Sequence, residues 1–208
     1  VRNRLDAGID WDERDTELVA AAVRVLAGHE GWPPCDLSGC ILMGTVLKDA
    51  HLQGVNLGGS WLSHVDLRGG DLTGASLTGT TFQECYLDGA HFVDAETHFA
   101  DFKMRHMRNV TFDRAYGDGT SFRGGQLSDC SFQSAAFRDA DLRATRFDAC
   151  NFSGSAIEAK HVDERTRFEG SVGAPSMKLS SNLASLIEAG TSAPAAGRCR
   201  RESSSSRS

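Results

Sequence analysis

Apolar residues recur at every fifth position over about three fifths of the chain, from residue 37 to residue 162. Of the 26 positions at this spacing, 21 are Leu or Phe, and only Thr97 and Gly117 are neither aliphatic nor aromatic. A helix turns every 3.6 residues and a strand alternates every two, so neither keeps a five-residue period on one face. The period therefore predicts a solenoid built from short stacked blocks.

Two further positions of the five-residue block have a fixed character. The first is small or apolar in most blocks: Cys35, Cys40, Ala50, Val55, Val65, Ala75, Cys85, Ala90, Ala100, Ala135 and Cys150. The fifth is often glycine, as at Gly39, Gly44, Gly54, Gly59, Gly69, Gly74, Gly79 and Gly89, which suits corners with positive φ. The large central residue and the small first residue of each block would fill one edge of a narrow, closely packed tube.

This pattern resembles the pentapeptide-repeat family, whose blocks place a small residue first and Leu or Phe at the centre. The resemblance implies an all-β solenoid, a right-handed quadrilateral parallel β-helix in which four blocks form one square coil. The sequence then divides into an acidic lead with a capping helix at 1–34, the β-helix at 35–170, a linker with a short amphipathic helix at 171–190, and a low-complexity Ser/Arg tail at 191–208, which we expect to be disordered.

Both terminal helices are predicted from helical spacing of apolar residues. The first, containing Leu18, Val19, Ala22, Val23 and Leu26, either caps the solenoid or binds a partner. The second contains Leu179, Leu183, Leu186 and Ile187, and either closes the other end or pairs with its copy in a homodimer. Some topoisomerase-protecting members of the family resemble this second arrangement.

Composition predicts the cellular compartment of the protein and the role of its cysteines. No apolar run approaches the roughly 18 residues of a membrane span, and the N-terminus lacks the apolar segment of a signal peptide, so we expect a cytoplasmic protein without membrane contact. Five of the six cysteines occupy inward positions, which predicts packing rather than disulfides, and no cysteine or histidine spacing indicates zinc. We expect no cofactor.

Residues 20 apart should stack in columns on successive coils. Ile41 and Trp61 then form an exposed apolar patch, which either contacts a partner or lies under the N-terminal helix. Lys103, Arg123 and Arg143 form a basic ladder, which we interpret as neutralised by Asp101 and Asp141.

A column of His51, Asp71 and His91 has the residue types of a metal site. Stacking spaces such side chains along parallel directions, whereas a metal needs ligands that converge on one point. We therefore expect a solvated ladder and no metal there.

The repeat is irregular in the middle of the solenoid. Thr97 and Gly117 lack the central apolar side chain, and they stack because they are 20 apart. Around them lie Phe99, Arg105 at an inward first position, and Met107 at a centre; the Arg105 side chain either turns outward or forces a bulge. These five residues form either a binding site or a stretch of repeat decay.

Charge and motifs favour a non-catalytic binding scaffold. No Ser-His-Asp order, P-loop or dinucleotide fingerprint is present. The lead, the solenoid and the tail have net charges of −3, −6 and +3, so the ordered part should not seek nucleic acid directly. An acidic rod can instead imitate DNA, as quinolone-resistance members of the family are held to do on DNA gyrase.

We therefore expect a protein that binds a topoisomerase and protects it from poisons. Asp66, Asp88 and Asp148 are the candidate acidic contacts. Two alternatives stay open: a general interaction or targeting module that binds through Ile41 and Trp61, and a small-ligand binder at Arg105.

Overall fold

The computed structural model describes residues 36–173, which form one parallel β-solenoid without a helix. Both predicted terminal helices, with Leu179, Leu183, Leu186 and Ile187 of the second, and the Ser/Arg tail lie outside the described residues. Successive coils pair in parallel with a spacing of 20 residues, as when Ile41 pairs with Trp61 and Trp61 with Thr81. The prediction of an all-β solenoid with four blocks per coil is confirmed.

Three of the four faces carry named strands. The strands are β1 Ile41–Met43, β2 Trp61–Ser63, β3 Thr81–Gln83, β4 Asp101–Lys103, β5 His106–Arg108, β6 Tyr116–Asp118, β7 Gln126–Ser128, β8 Ala136–Asp141, β9 Arg146–Asp148, β10 Ala156–His161 and β11 Arg167–Glu169. In chain order around the coil, the first face contains β6, β8 and β10, the second β1 to β4, and the third β5, β7, β9 and β11. Isolated bridges such as His51 to Asp71 and Asp71 to His91 join the coils on the fourth face.

Corners depend on the fifth position of each block. All eight predicted corner glycines have positive φ. Twelve non-glycine residues adopt the same left-handed conformation, most of them polar, as at Asp49 with φ 55°. Asn and Asp tolerate this region better than other side chains, whereas a bulky residue there is strained. Phe99, with φ 54°, is the one phenylalanine among them.

The core is a single column of inward side chains. Leucines fill every centre from Leu37 to Leu77, and phenylalanines dominate from Phe82 onward. Cys40, Cys85, Cys130 and Cys150 are buried free thiols, as expected for small core residues. Burial raises the pKa of the Cys85 thiol to about 11, so it is protonated and unreactive at neutral pH.

Phenylalanines of the second and fourth faces meet in the centre of the tube. Phe82, Phe102 and Phe122 stack along the second face with ring centroids 4.9 and 5.1 Å apart. The fourth-face rings stack in the same way, and Phe92, Phe112 and Phe132 approach second-face rings edge-on, as Phe112 does at 5.3 Å from Phe102. Offset or edge-to-face ring pairs add about 0.5–1.5 kcal/mol beyond the area they bury.

This double stack explains the two missing apolar centres. Thr97 and Gly117 lie on the first face, beside the coils in which rings from both neighbouring faces fill the tube. Both residues are buried, and Thr97 Oγ1 lies 2.9 Å from Thr120 Oγ1, which donates to the Thr97 carbonyl at 2.8 Å. Thr97 and Gly117 are therefore small because the rings of the neighbouring faces already occupy the space that a larger side chain would need.

The last coil shifts register by one residue. Phe168 pairs with Phe147 at a spacing of 21, and the two rings stack at 4.8 Å. The pairing between β8 and β10 is irregular but ends at a spacing of 20, between Asp141 and His161, so the extra residue lies between His161 and Arg167. The change of register is thus a one-residue insertion, and the coil continues to the last described residue.

Candidate functional site

The apolar patch predicted at Ile41 and Trp61 is present and larger than expected. The two residues pair in register on β1 and β2 and expose 38% and 50% of their surface. Met43 and Val46 are also exposed, at 62% and 58%, on the same and the next face. Met43 stands in the outward column beside Ile41, so the sequence contained the signal for its inclusion. We call these four residues the apolar patch.

The three aspartates predicted as acidic contacts all lie on the third face, but each has a partner within the chain. Arg68 forms a two-pronged ion pair with Asp66, with 2.6 Å between Nη2 and Oδ2, and this hydrogen bond lowers the pKa of Asp66. Asp88 accepts a hydrogen bond from the Arg108 N–H at 2.9 Å. Asp148 pairs with Arg146 at 3.2 Å.

The basic ladder is largely neutralised, as predicted. Lys103 Nζ lies 3.2 Å from Asp101 Oδ2, and Arg143 forms a two-pronged pair with Asp141. Burial alone would raise the pKa of Asp141, but the hydrogen bonds from Arg143 outweigh it and hold that pKa below its usual value. Arg123, between these two in the column, forms no ion pair with any described residue.

The irregular stretch divides into buried and exposed residues. Thr97, Met107 and Gly117 are enclosed in the core, so a partner cannot touch them on the folded coil. Arg105 is exposed, because Met104 occupies the inward position one residue early and is only 3% exposed. Of the two outcomes considered for Arg105, the outward turn is the one observed.

Phe99 is the most exposed aromatic residue in the described chain, at 68%. Its ring lies on Gly119 of the next coil, where a Cβ atom would come within 2.8 Å of Phe99 Cδ1. The ring borders a groove of about 780 Å³ along the corner between the first and second faces. The groove has mixed charge, since Asp118, Asp139, Arg138 and Lys160 all line it. An exposed, strained aromatic residue beside a groove is a feature of binding sites.

The column of alternating histidine and aspartate residues lies on the fourth face. His51, Asp71 and His91 stack in one column as predicted, and residues 36–173 contain no group of three or more side chains arranged to hold a metal ion. Asp71 instead accepts hydrogen bonds from Gln53 and from the Thr73 N–H. Over the same residues there is no helix that is long and apolar enough to cross a membrane.

Charge is distributed unevenly along the solenoid axis. Residues 36–100, which we call the N-terminal half, contain 8 acidic and 2 basic residues. Residues 101–173, the C-terminal half, contain 11 of each. All of the net −6 of the described chain therefore lies in the N-terminal half, which also contains the apolar patch.

The coil geometry and the repeat define a class of protein, the β-solenoids built from five-residue blocks. The family model for pentapeptide repeats matches residues 35–69, 71–103 and 126–158 in 8 copies. The chain belongs to the pentapeptide-repeat family.

Solved structures with similar coils have varied roles. The chain is 20% identical to QnrB1, a plasmid-mediated fluoroquinolone resistance protein, over 75% of this chain and 84% of that one, with a TM-score of 0.28. It is 15% identical to HetL, a protein of heterocyst differentiation regulation from the cyanobacterium Nostoc, over 65% and 73%, with a TM-score of 0.31. It is 19% identical to Rfr23 from the cyanobacterium Cyanothece, over 65% and 88%, with a TM-score of 0.30. No curated protein matches the chain.

Proposed function

We propose that this chain is a non-catalytic protein-binding scaffold whose N-terminal half imitates DNA and occupies the DNA-binding surface of a type II topoisomerase such as DNA gyrase. Protection of that enzyme from its poisons would follow, because the protein and the cleavable DNA compete for one surface. The observation that carries the proposal is the concentration of all net negative charge in residues 36–100.

The charge density of this half approaches that of DNA. With 20 residues per coil and about 4.8 Å between coils, residues 36–100 extend for roughly 16 Å, which places one net negative charge at about every 2.6 Å. Duplex DNA has one per about 1.7 Å. The C-terminal half has a net charge of zero over a similar length. A DNA-binding surface would therefore be attracted to one end of the rod.

The carboxylates of this half are poorly compensated. Its two bases are Lys48, whose Nζ is 4.0 Å from Asp49 Oδ2, and Arg68, which is engaged with Asp66. Glu84 lies 3.4 Å from the His64 ring, which neutralises it only when that imidazole is protonated. Arg114 of the C-terminal half also pairs with Asp94, at 2.7 Å, so three basic side chains face eight carboxylates, and the excess negative charge is left for a basic partner.

The direct test is a supercoiling assay with purified bacterial gyrase, in which this protein is titrated with and without a fluoroquinolone. We expect inhibition of supercoiling by the protein alone, or rescue of activity in the presence of the drug. Raising the salt concentration should weaken either effect, because the attraction is between exposed charges. If gyrase supercoils DNA at an unchanged rate with this protein present well above micromolar concentration, with and without the drug, the proposal that it binds a topoisomerase is wrong.

The apolar patch favours a second candidate, a general protein-interaction module. A cluster of four exposed apolar residues on adjacent strands and faces is typical of a contact surface. Binding through it should depend on Trp61 and be insensitive to salt. A candidate partner is expected to shift the emission of Trp61 to the blue, and a Trp61→Phe variant should lose that shift. A partner that binds Trp61→Ala with unchanged affinity would contradict this candidate.

A further inference from the structure

The groove beside Phe99 runs parallel to the solenoid axis, along the corner between the first and second faces. Two of its residues come from the coil of Phe99, three from the next coil, and seven from the two coils that follow. Four coils at a spacing of about 4.8 Å give the groove a length of roughly 14 Å. An extended peptide of about four residues has the same length.

Phe99 stands at one end of the groove, at a corner where the repeat otherwise uses glycine. The preceding and following residues of its corner column, Gly79 and Gly119, have φ of 67° and 70°. The Phe99 ring lies on Gly119, which has no side chain to displace it. An aromatic residue held in a strained conformation at a position that suits glycine supports a role for its ring in binding.

Two carboxylates flank Gly119 at this end of the groove. Asp118 precedes Gly119 in the chain, Asp139 follows it in the corner column, and both line the groove. Neither forms an ion pair with a lysine or arginine of the described chain. Asp118 Oδ2 lies 3.8 Å from His98 Nδ1, but that nitrogen accepts the Asp118 N–H at 2.9 Å and therefore carries no proton. The negative charges of both carboxylates are thus available beside the ring.

Basic side chains line only the part of the groove that is farther from Phe99. They belong to Arg138, Arg143 and Lys160, whereas the two coils nearer the ring contribute two aspartates and no basic residue to the lining that the structure describes. A ligand cation is therefore attracted to the Phe99 end of the groove and repelled by the bases at the other end.

We propose that this groove binds an extended segment of a partner protein through an arginine side chain of that segment. The guanidinium stacks on the exposed face of the Phe99 ring and pairs with the Asp118 and Asp139 carboxylates. Arginine suits this arrangement because its planar guanidinium can stack on a ring while its N–H groups donate to carboxylates. The proposal does not rest on topoisomerase binding, since both carboxylates lie outside residues 36–100.

A nuclear magnetic resonance titration of the isotope-labelled full chain tests the site, with a capped pentapeptide that has one arginine between glycines. We expect saturable shifts of the Phe99, Gly119 and Asp139 amide signals at peptide concentrations on the order of millimolar. The same peptide with citrulline, which has a similar shape without the charge, should bind about tenfold more weakly. Equal binding of the two peptides, or no saturable shift at these residues, would overturn the proposal.

Substitutions at the groove separate binding from folding. Asp118→Asn should weaken the binding of the arginine peptide about tenfold, because a charge-assisted hydrogen bond is lost. Phe99→Asn should weaken it about threefold without lowering the thermal unfolding midpoint, because Asn tolerates the positive φ. Asp129→Asn is the matched control, at the diagonally opposite corner of the coil, and should change the affinity less than twofold. Equal losses in Asp118→Asn and Asp129→Asn would reduce the effect to general charge and contradict the proposal.

The arginines of the C-terminal segment provide a second control. Residues 174–208 contain Arg198, Arg200, Arg201 and Arg207. The arginine peptide should bind equally well to the parent chain and to a variant in which all four are glutamine. Binding that is detected only in the variant would assign the groove to this chain's own C-terminal segment and overturn the assignment to a partner protein.

Discussion

The two halves of the solenoid share one backbone plan but differ inside and outside. The N-terminal half has a leucine core as far as Leu77, a net charge of −6 and the apolar patch. The C-terminal half has stacked phenylalanines, balanced charge and four of its nine arginines in ion pairs. The comparison shows that the five-residue period specifies the coil, whereas the outward positions are free to differ between the two halves.

The same comparison separates an irregularity that is confined to the core from one that reaches the surface. Thr97 and Gly117 interrupt the pattern because the rings of neighbouring faces already fill the tube. The Met104 and Arg105 irregularity instead changes the surface, because it breaks a ladder and leaves a guanidinium exposed. An interruption of the repeat can therefore be absorbed within the core or can alter the surface of the coil.

The largest expected difference between the halves is in the core. Phe112→Ala should destabilise the protein by about 3–5 kcal/mol, because it removes a ring that stacks on Phe92 and Phe132 and leaves a cavity. Leu72→Ala, on the same face of the N-terminal half, should cost about 2–4 kcal/mol. Chemical denaturation of both variants measures the loss in the free energy of unfolding that each substitution causes. A Phe112→Ala cost below that of Leu72→Ala would contradict the role assigned to the ring stack.

A second prediction concerns the small residues that lie beside the stacked rings. Gly117→Ala should destabilise the fold by about 1–3 kcal/mol, because the new Cβ would lie 2.7 Å from the Thr97 backbone carbon. Thr97→Ala in the same chain should relieve only part of the cost, since the close backbone atom remains. If Gly117→Ala were neutral or stabilising in thermal unfolding, the account of local repacking would be wrong.

The ion pairs of the C-terminal half make a pH-dependent contribution. The pKa of Asp141 is lowered in the folded state, so its contribution to stability is present above the unfolded pKa of about 3.9 and is lost as the pH falls through the folded value. Asp141→Asn should therefore be less stable by about 1 kcal/mol at pH 7. The unfolding curves of the variant and the parent should converge at low pH; a difference that persists unchanged at low pH would exclude this cause.

The smallest predicted effect is at the strained corner. Phe99→Asn should stabilise the protein by about 0.5–1 kcal/mol, because Asn tolerates φ 54° better than Phe. Asp139→Asn, at the next non-glycine residue of the same corner column, is the control and should be nearly neutral. Destabilisation by Phe99→Asn in thermal unfolding would show that the ring contact with Gly119 outweighs the strain.

The sequence was sufficient to predict the coil, its register and the pairing of Ile41 with Trp61, since a fixed period determines which residues stack. It could not show that Met104 replaces Arg105 in the core, because a one-residue slip depends on local packing. Nor could it show that Asp66, Asp88 and Asp148 are each held within the chain, since these contacts depend on side-chain rotamers.

The most direct test of the central claim compares charge removal from the two halves in the gyrase supercoiling assay. Asp49→Asn with Glu84→Gln, and Asp129→Asn with Asp139→Asn, each remove two carboxylates from corner residues with positive φ. We predict that the first pair weakens inhibition of gyrase at least tenfold and that the second changes it less than twofold. Equal effects of the two pairs, or a larger effect of the second, would contradict the assignment of binding to the N-terminal half.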